Sequence, residues 1–403
     1  MALVILSFRK AVAATLFIGL NIKIIIRLAG IYLHIPFCKQ ACHYCNFHFS
    51  TSLKVRNEMV EALLNEIELR RNYLAENDPV ETIYFGGGTP SLLPISDIDR
   101  ILNKIHSIFK VDDDVEITLE ANPDDIEKSR LKEWKQSGIN RFSMGVQSFF
   151  EEDLVWMNRA HHAHQSESSI RMVLEEGFHN LTIDLIYGLP HLTDDNWIKN
   201  IEKAIDFNIP HLSCYALTVE TRTALHSFIQ NKKMPDIDTD QQARHFNILM
   251  QRLKAAGYDQ YEISNFAKPG FRSSHNSSYW QGKNYLGIGP SAHSFNSESR
   301  QWNIANNALY IAVLQKGELN FEKEVLTISQ QMNEYIMTSL RTMEGVDLEF
   351  IGEKWGNEAL EKLKIGAEKY LMEGKARMQE EKLQLTAEGK FLADGIAADL
   401  FFD

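Results

Sequence analysis

From Ile31 onward the apolar positions alternate between two periods. Short runs rich in β-branched and aromatic residues recur at 31–35 (IYLHI), 81–85 (ETIYF), 116–121 (EITLEA), 141–146 (RFSMGV), 181–187 (LTIDLIY) and 211–219 (HLSCYALTV). Between them the apolar residues repeat at helical spacing. In 56–74, Met59, Leu63, Ile67 and Leu74 share one stripe; further stretches cover 95–109, 126–136, 166–176, 194–207 and 239–256. Gly138, Gly177 and Gly257 follow three of these stretches, where helices stop. Six β–α units in series predict a parallel sheet with right-handed crossovers, closed partly or wholly into a barrel. In such folds chemistry gathers at the C-terminal ends of the strands.

The pattern then changes twice. Residues 258–321 are dense in aromatics, glycine, histidine and asparagine, and read as an irregular, non-helical connecting region. From 322 the helical period returns at 329–342, 348–355 and 359–373. A two-stranded ribbon at 376–381 and 383–386 and a last helix over 387–401 complete a small domain of winged-helix type. Glu and Lys are evenly mixed there, so it lacks a basic recognition face and reads as a lid or partner surface. The resulting plan is an N-terminal extension (1–29), a partial barrel (30–257), a connecting region (258–321) and a C-terminal helical domain (322–403).

The extension has apolar runs at 11–20 and 24–26, flanked by Arg9, Lys10, Lys23 and Arg27. It lacks a clear cleavage site and is too interrupted for a membrane span. The expectation is that translation begins near Leu28. The rest of the composition is that of a soluble globular protein, 44% hydrophobic and 24% charged over 403 residues. A net charge of -12 argues against a nucleic-acid surface and against charge-driven binding to an anionic membrane.

Cysteine placement adds the chemistry. Three of the four cysteines, Cys38, Cys42 and Cys45, form a C-x3-C-x2-C loop directly after the first strand. Three thiolates in so tight a loop can hold three irons of a 4Fe–4S cubane, leaving the fourth iron open to a small molecule. That open corner suits S-adenosylmethionine (SAM), bound through its amino and carboxylate groups. A structural zinc site is the competing reading, with His34, His43 or His48 as fourth ligand. Cys214 stands alone in an apolar run and reads as a buried small residue. Such cysteine usage suits a reducing, cytoplasmic compartment.

Polar groups recur after the following strands. They are Gly86-Gly87-Gly88-Thr89-Pro90, then Glu120, Asn122 and Pro123, then Gln147 and Ser148 with Arg159 beyond. Asp184 lies inside the fifth apolar run, where a carboxylate needs a partner such as Arg159 or a ligand hydroxyl. Together these point to one shared pocket. In the connecting region His275, Tyr279 and Trp280 offer a face for a flat aromatic ligand, with His275 as a candidate axial iron ligand; packing against the barrel is the alternative.

These motifs resemble the radical-SAM coproporphyrinogen-oxidase-like family from Ile31 to the end. They include IYLHIPFC with its cysteine spacing, GGGTP, LEANP, GVQS, DLIYGLP, YEISNFAKPG and HNSSYW. The resemblance implies an α/β fold, a partial (β/α)6 radical-SAM barrel with a C-terminal helical domain. It implies a 4Fe–4S cluster on Cys38, Cys42 and Cys45. SAM contacts are implied at Tyr32, Tyr44, Gly87, Gly88, Thr89, Glu120, Gln147, Arg159, Asp184 and Ala216. The oxidase branch carries a further cysteine where this chain has Phe47, whereas HNSSYW (275–280) is typical of the heme-chaperone branch, where it is linked to heme binding. The resemblance therefore favours heme binding and delivery to heme-requiring apo-proteins, membrane-bound respiratory enzymes among them, over oxidative decarboxylation of coproporphyrinogen III. A homodimer is a further expectation. One departure is Asn158 ahead of Arg159, where many relatives carry glycine.

Overall fold

The computed structural model describes residues 28–403, so the expectation about residues 1–27 falls outside the described residues. Six strands follow one another in parallel: β1 (Ala29–Ile35), β2 (Val80–Gly87), β3 (Val111–Ala121), β4 (Arg141–Gln147), β5 (Leu181–Tyr187) and β6 (His211–Ala216). Helices Arg56–Leu69, Ile95–Ile108, Lys128–Gln136, Ala163–Glu175, Asp194–Asp206 and Thr239–Ala255 alternate with or follow them. The strand period of two explains how one sequence serves both faces. Ile31, Leu33 and Ile35 are buried in the core with Met59, Leu63 and Ile67 of the first helix. The alternate residues Tyr32, Tyr84 and Asp184 carry the polar interior of the curved sheet.

The region 258–321 is more regular than its composition suggests. It supplies β7 (Asp259–Glu262) and β8 (Asn265–Ala267), with β8 antiparallel to β6. It also supplies β9 (Asn284–Ile288), which runs parallel to β1 on the opposite side. β10 (His293–Phe295), β11 (Ser299–Asn303) and β12 (Phe321–Val325) extend that edge, giving an open sheet of 12 strands. The sheet does not close, as a partial barrel requires. The HNSSYW stretch, expected to be non-helical, lies in helix Ser274–Trp280. Its N-terminus is capped twice: Ser273 Oγ accepts from Asn276 N, and the Glu116 carboxylate accepts from the N–H groups of Ser274 and His275 at 3.1 Å each. A cap supplied from more than 150 positions away leaves no mark in local periodicity.

The C-terminal domain has its own core, including Ile336, Leu340, Ile351 and Leu363. It combines helices Ile328–Leu340, Leu348–Trp355 and Asn357–Met372 with a three-stranded sheet. The expected final helix is broken into Ala387–Lys390 and Ala393–Asp399, with Phe391 and Leu392 turned outward between them. Backbone bonds from Ile263 N to Arg341 O (3.0 Å) and from Met343 N to Tyr261 O (3.1 Å) join this domain to the edge of the barrel sheet.

Candidate cofactor site at the strand ends

The cysteine loop leaves β1 and crosses the open ends of the strands. Lys39 anchors it, pairing with Asp124 at 2.8 Å and with Asp125 beyond β3. Asn158 clasps it from below: Gln40 Nε2 donates to Asn158 Oδ1 (2.8 Å), and Asn158 Nδ2 donates to Ala41 O (2.7 Å). Asn158 sits at φ 57°. Asparagine is among the few side-chain residues that visit this left-handed region routinely, so the departure from glycine preserves the turn ahead of Arg159.

Cys38, Cys42 and Cys45 are free thiols on the wall of a cavity of about 780 Å³. Tyr44, Gly87, Gly88, Thr89, Glu120, Gln147, Arg159, Asp184 and Ala216 line the same cavity. Tyr32 does not. It lies deeper, stacked on Tyr84 and His275 with centroids 6.1 and 6.3 Å away, its hydroxyl 3.3 Å from His34 Nδ1. Burial raises the Tyr32 phenol, and the Glu120 charge adds to that. Tyr32 thus lies behind the cavity wall, among the aromatic residues beneath it.

The glycines permit the loops to converge. A Cβ on Gly88 would stand 2.5 Å from Phe37 O, and one on Gly87 would meet the His34 ring at 2.7 Å. Gly87 also has φ +107°, which few other residues tolerate. Gln147 ends β4 at φ 66°, beside a register shift, a strained conformation that turns its side chain into the cavity.

Arg159 is the fixed charge of the site. Its Nη2 donates to Asn122 Oδ1 (2.6 Å) and Gly145 O (2.8 Å). Its Nη1 lies 3.4 Å from both Cys42 Sγ and Tyr44 OH. The expected Arg159–Asp184 ion pair is not formed, because the guanidinium is committed to the cysteine loop and the β3 and β4 ends. Asp184 takes hydroxyl partners, Ser213 and Ser143, with Arg141 its nearer cation. Burial pushes Asp184 up to about 7, the hydroxyls and arginines only partly opposing it. Burial likewise raises Glu120 to about 7, against the hydrogen bond it accepts from Tyr84 OH at 2.8 Å. Two carboxyls near neutrality at one cavity wall are suited to accept from hydroxyl or ammonium donors of a ligand.

The donor set fits an iron–sulfur cluster better than zinc. His34 Nε2 is bonded to His48 O, His43 Nδ1 to Trp156 O and His48 Nε2 to Asn307 Oδ1, so each candidate fourth zinc ligand is engaged elsewhere. Three thiols with open volume beside them match a cluster with one vacant iron. Burial pushes the Cys38 thiol up to about 11, so binding iron there displaces a proton.

His275 is placed away from this cavity. It is 1% exposed, with Nδ1 at 2.8 Å from Thr82 Oγ1 and Nε2 at 2.8 Å from Tyr279 OH. Its ring stacks on Tyr84 at 4.8 Å. Burial, reinforced by Arg141, lowers it to about 3. In this conformation neither nitrogen is available to a heme iron, and the residue acts as a plug in the barrel interior. Sequence reasoning missed Arg141, Arg341 and Lys390. Of these, Arg141 left a readable signal, a cation opening an apolar run.

A family model described as "Radical SAM superfamily" matches residues 32–216, and one described as "HemN C-terminal domain" matches 326–392. The chain is 33% identical over 371 residues to the "Heme chaperone HemW" of Bacillus subtilis (strain 168), covering 91% of this chain and 97% of that protein. It is 32% identical to the protein of the same name from Mycobacterium tuberculosis (strain ATCC 25618 / H37Rv), covering 92% and 94%. Among solved structures, "Coproporphyrinogen III oxidase (HemN) from Escherichia coli is a Radical SAM enzyme" superposes with TM-score 0.80 at 25% identity. That match covers 93% of this chain and 90% of the other. The strand-end cavity, the cysteine loop and both matched segments place the chain in the radical-SAM superfamily, and with near full-length relatives at this identity it belongs to the HemW family.

Proposed function

We propose that this protein binds heme beside a SAM-coordinated 4Fe–4S cluster and delivers heme to apo-proteins. The observation that carries the reading is the near full-length likeness to proteins named heme chaperones, in a chain with Phe47 where the oxidase branch has a further cysteine. Cys38, Cys42 and Cys45 would hold the cluster, and the nine cavity-lining residues named above would hold SAM. A cluster of this kind supplies one electron to the sulfonium cofactor when bound. The chain's own residues fix the loop (Lys39, Asn158), hold a buried cation against Cys42 (Arg159) and present two carboxyls to the cofactor (Glu120, Asp184). Carrier action requires the heme to remain chemically unchanged, so on this reading the chain serves as a transfer factor.

Recipients are heme-requiring apo-proteins, with membrane-bound respiratory enzymes as candidates, and a homodimer is part of the proposal. Among the described residues no helix is long and apolar enough to cross a membrane. Free thiols at the site suit a cytoplasmic location. A second reading, radical oxidation of coproporphyrinogen III, is favoured by the fold shared with the oxidase. One experiment separates them. Anaerobically reconstituted protein is given reductant, SAM and coproporphyrinogen III, and in parallel is titrated with heme. A heme absorption band without protoporphyrinogen supports transfer; protoporphyrinogen formation overturns it.

A further inference from the structure

The cavity extends beyond the cofactor residues to the C-terminal domain, whose Lys390–Gly395 segment forms part of its wall. Its mouth is apolar and exposed: Phe47 is 67% exposed, Tyr215 44%, Phe391 46% and Leu392 42%. Large apolar side chains left open on a concave surface mark a binding site. Beside them stands a cation without a counter-charge. Lys390 Nζ donates to the neutral amide oxygen of Gln260 at 2.9 Å. Two carboxylates of this region are already taken by Arg341: Glu262, with Nε at 3.0 Å and Nη2 at 2.9 Å, and Asp394, with Nη1 at 2.6 Å. Among the described residues no carboxylate reaches ion-pair distance of Lys390. Burial lowers its pKa to about 8, with Arg377 and Lys254 pushing the same way and Glu262 opposing. A partly buried ammonium held by one amide is stabilised by any carboxylate brought to it.

We propose that Lys390 receives a carboxylate of a flat, apolar ligand seated at this mouth between Phe47, Tyr215, Phe391 and Leu392. This rests on the heme-binding reading, and identifies the carboxylate as a tetrapyrrole propionate. The broken final helix then has a purpose: it turns Phe391 and Leu392 toward the ligand while holding Lys390 against the barrel. The methionyl carboxylate of SAM is the other source of the same chemistry, and the test separates the two.

Holoprotein with reconstituted cluster and SAM is titrated with heme and with heme dimethyl ester, in the parent chain, Lys390→Met and Lys390→Arg. Thermal melts of each show whether the fold is kept. The expected result is a roughly tenfold preference for free-acid heme in the parent, the strength of one charge-assisted hydrogen bond. It disappears in Lys390→Met, is retained in Lys390→Arg, and SAM affinity does not change. An undiminished preference in a folded Lys390→Met overturns the proposal while leaving heme binding intact. A tenfold loss of SAM affinity with heme binding unaffected also overturns it, by assigning Lys390 to the cofactor. Failure of the parent chain to take up either heme form overturns the functional reading itself.

Discussion

The two ends of the barrel interior are built from the same residue types and behave in opposite ways. At the plugged end, His275 bonds Thr82 and Tyr279, and Arg141 donates to Thr182 Oγ1 and lies 3.8 Å from Glu116. His211 continues the chain from Thr182 to Tyr261 at 3.0 and 2.7 Å. At the open end, among the described residues, Glu120 and Asp184 are hydrogen-bonded but form no ion pair, and burial raises both to about 7. Three thiols and Arg159 share that cavity. The difference is one of charge and access: the plugged end is closed over by rings and hydroxyls, whereas the open end keeps carboxyls, hydrogen-bonded but without an opposing charge, on a cavity wall. In this conformation His275 belongs to the plugged end, both ring nitrogens engaged by Thr82 and Tyr279.

The comparison is broken most completely at the cysteines. Cys42→Ala should abolish the cluster, read as loss of bound iron and of its visible absorption, and with it SAM binding. The same substitution should leave the melting temperature of cofactor-free protein nearly unchanged, because Cys42 is partly exposed and its one polar contact is the long 3.4 Å approach of Arg159.

His275→Ala should show the reverse. It removes a fully buried ring and strands Thr82 and Tyr279, at a cost of about 3 kcal/mol in unfolding free energy. Denaturant melts check this. The heme absorption band should persist if heme sits at the cavity mouth. Loss of that band in a variant still folded would return His275 to the role of iron ligand.

Asp184→Asn sharpens the contrast through pH. A carboxyl whose folded pKa lies above its unfolded value favours folding below the unfolded pKa, and that contribution fades as pH rises through the folded one. Cofactor-free parent protein should therefore lose stability between roughly pH 4 and pH 7. Asp184→Asn should flatten part of that slope, on the order of 2 kcal/mol, in melts across that range. It should also weaken SAM binding, since the carboxylate acceptor is gone.

The smallest effect concerns Arg159. Its N–H lies against Cys42 Sγ, and hydrogen bonds and positive charge near a cluster sulfur favour the reduced state. Arg159→Lys loses the Nη1 approach to the thiol while keeping the charge. A redox titration followed by electron paramagnetic resonance should show a reduction potential lower by about 59 mV, a tenfold change for one electron. An unchanged potential would mean that the approach to sulfur does not persist once the cluster is bound.

Several of these contrasts could be read in the chain itself. The strand runs are strongly periodic, and the polar residues following each run converge because parallel strands must end together. Nine of the ten expected SAM contacts line one cavity for that reason. Tyr32 is the exception, since its place one pleat deeper is set by how far β1 is inserted relative to β2 and β9. The region 258–321 is opaque in sequence because its strands are short, three to five residues each, and are anchored through β9 on β1 and β8 on β6, far away in the chain. Its helix Ser274–Trp280 depends on Glu116 for part of its cap.

The sequence by itself determined the β–α series, the cysteine loop and the chemistry it can hold, because periodicity and ligand spacing are local properties of the chain. Tertiary structure decided which polar groups are satisfied: Arg159 against the cysteine loop, His275 inside the barrel, Lys390 beside an amide at the domain junction. Satisfaction is a property of pairs brought together by folding, and residues more than a hundred positions apart do not announce their partners.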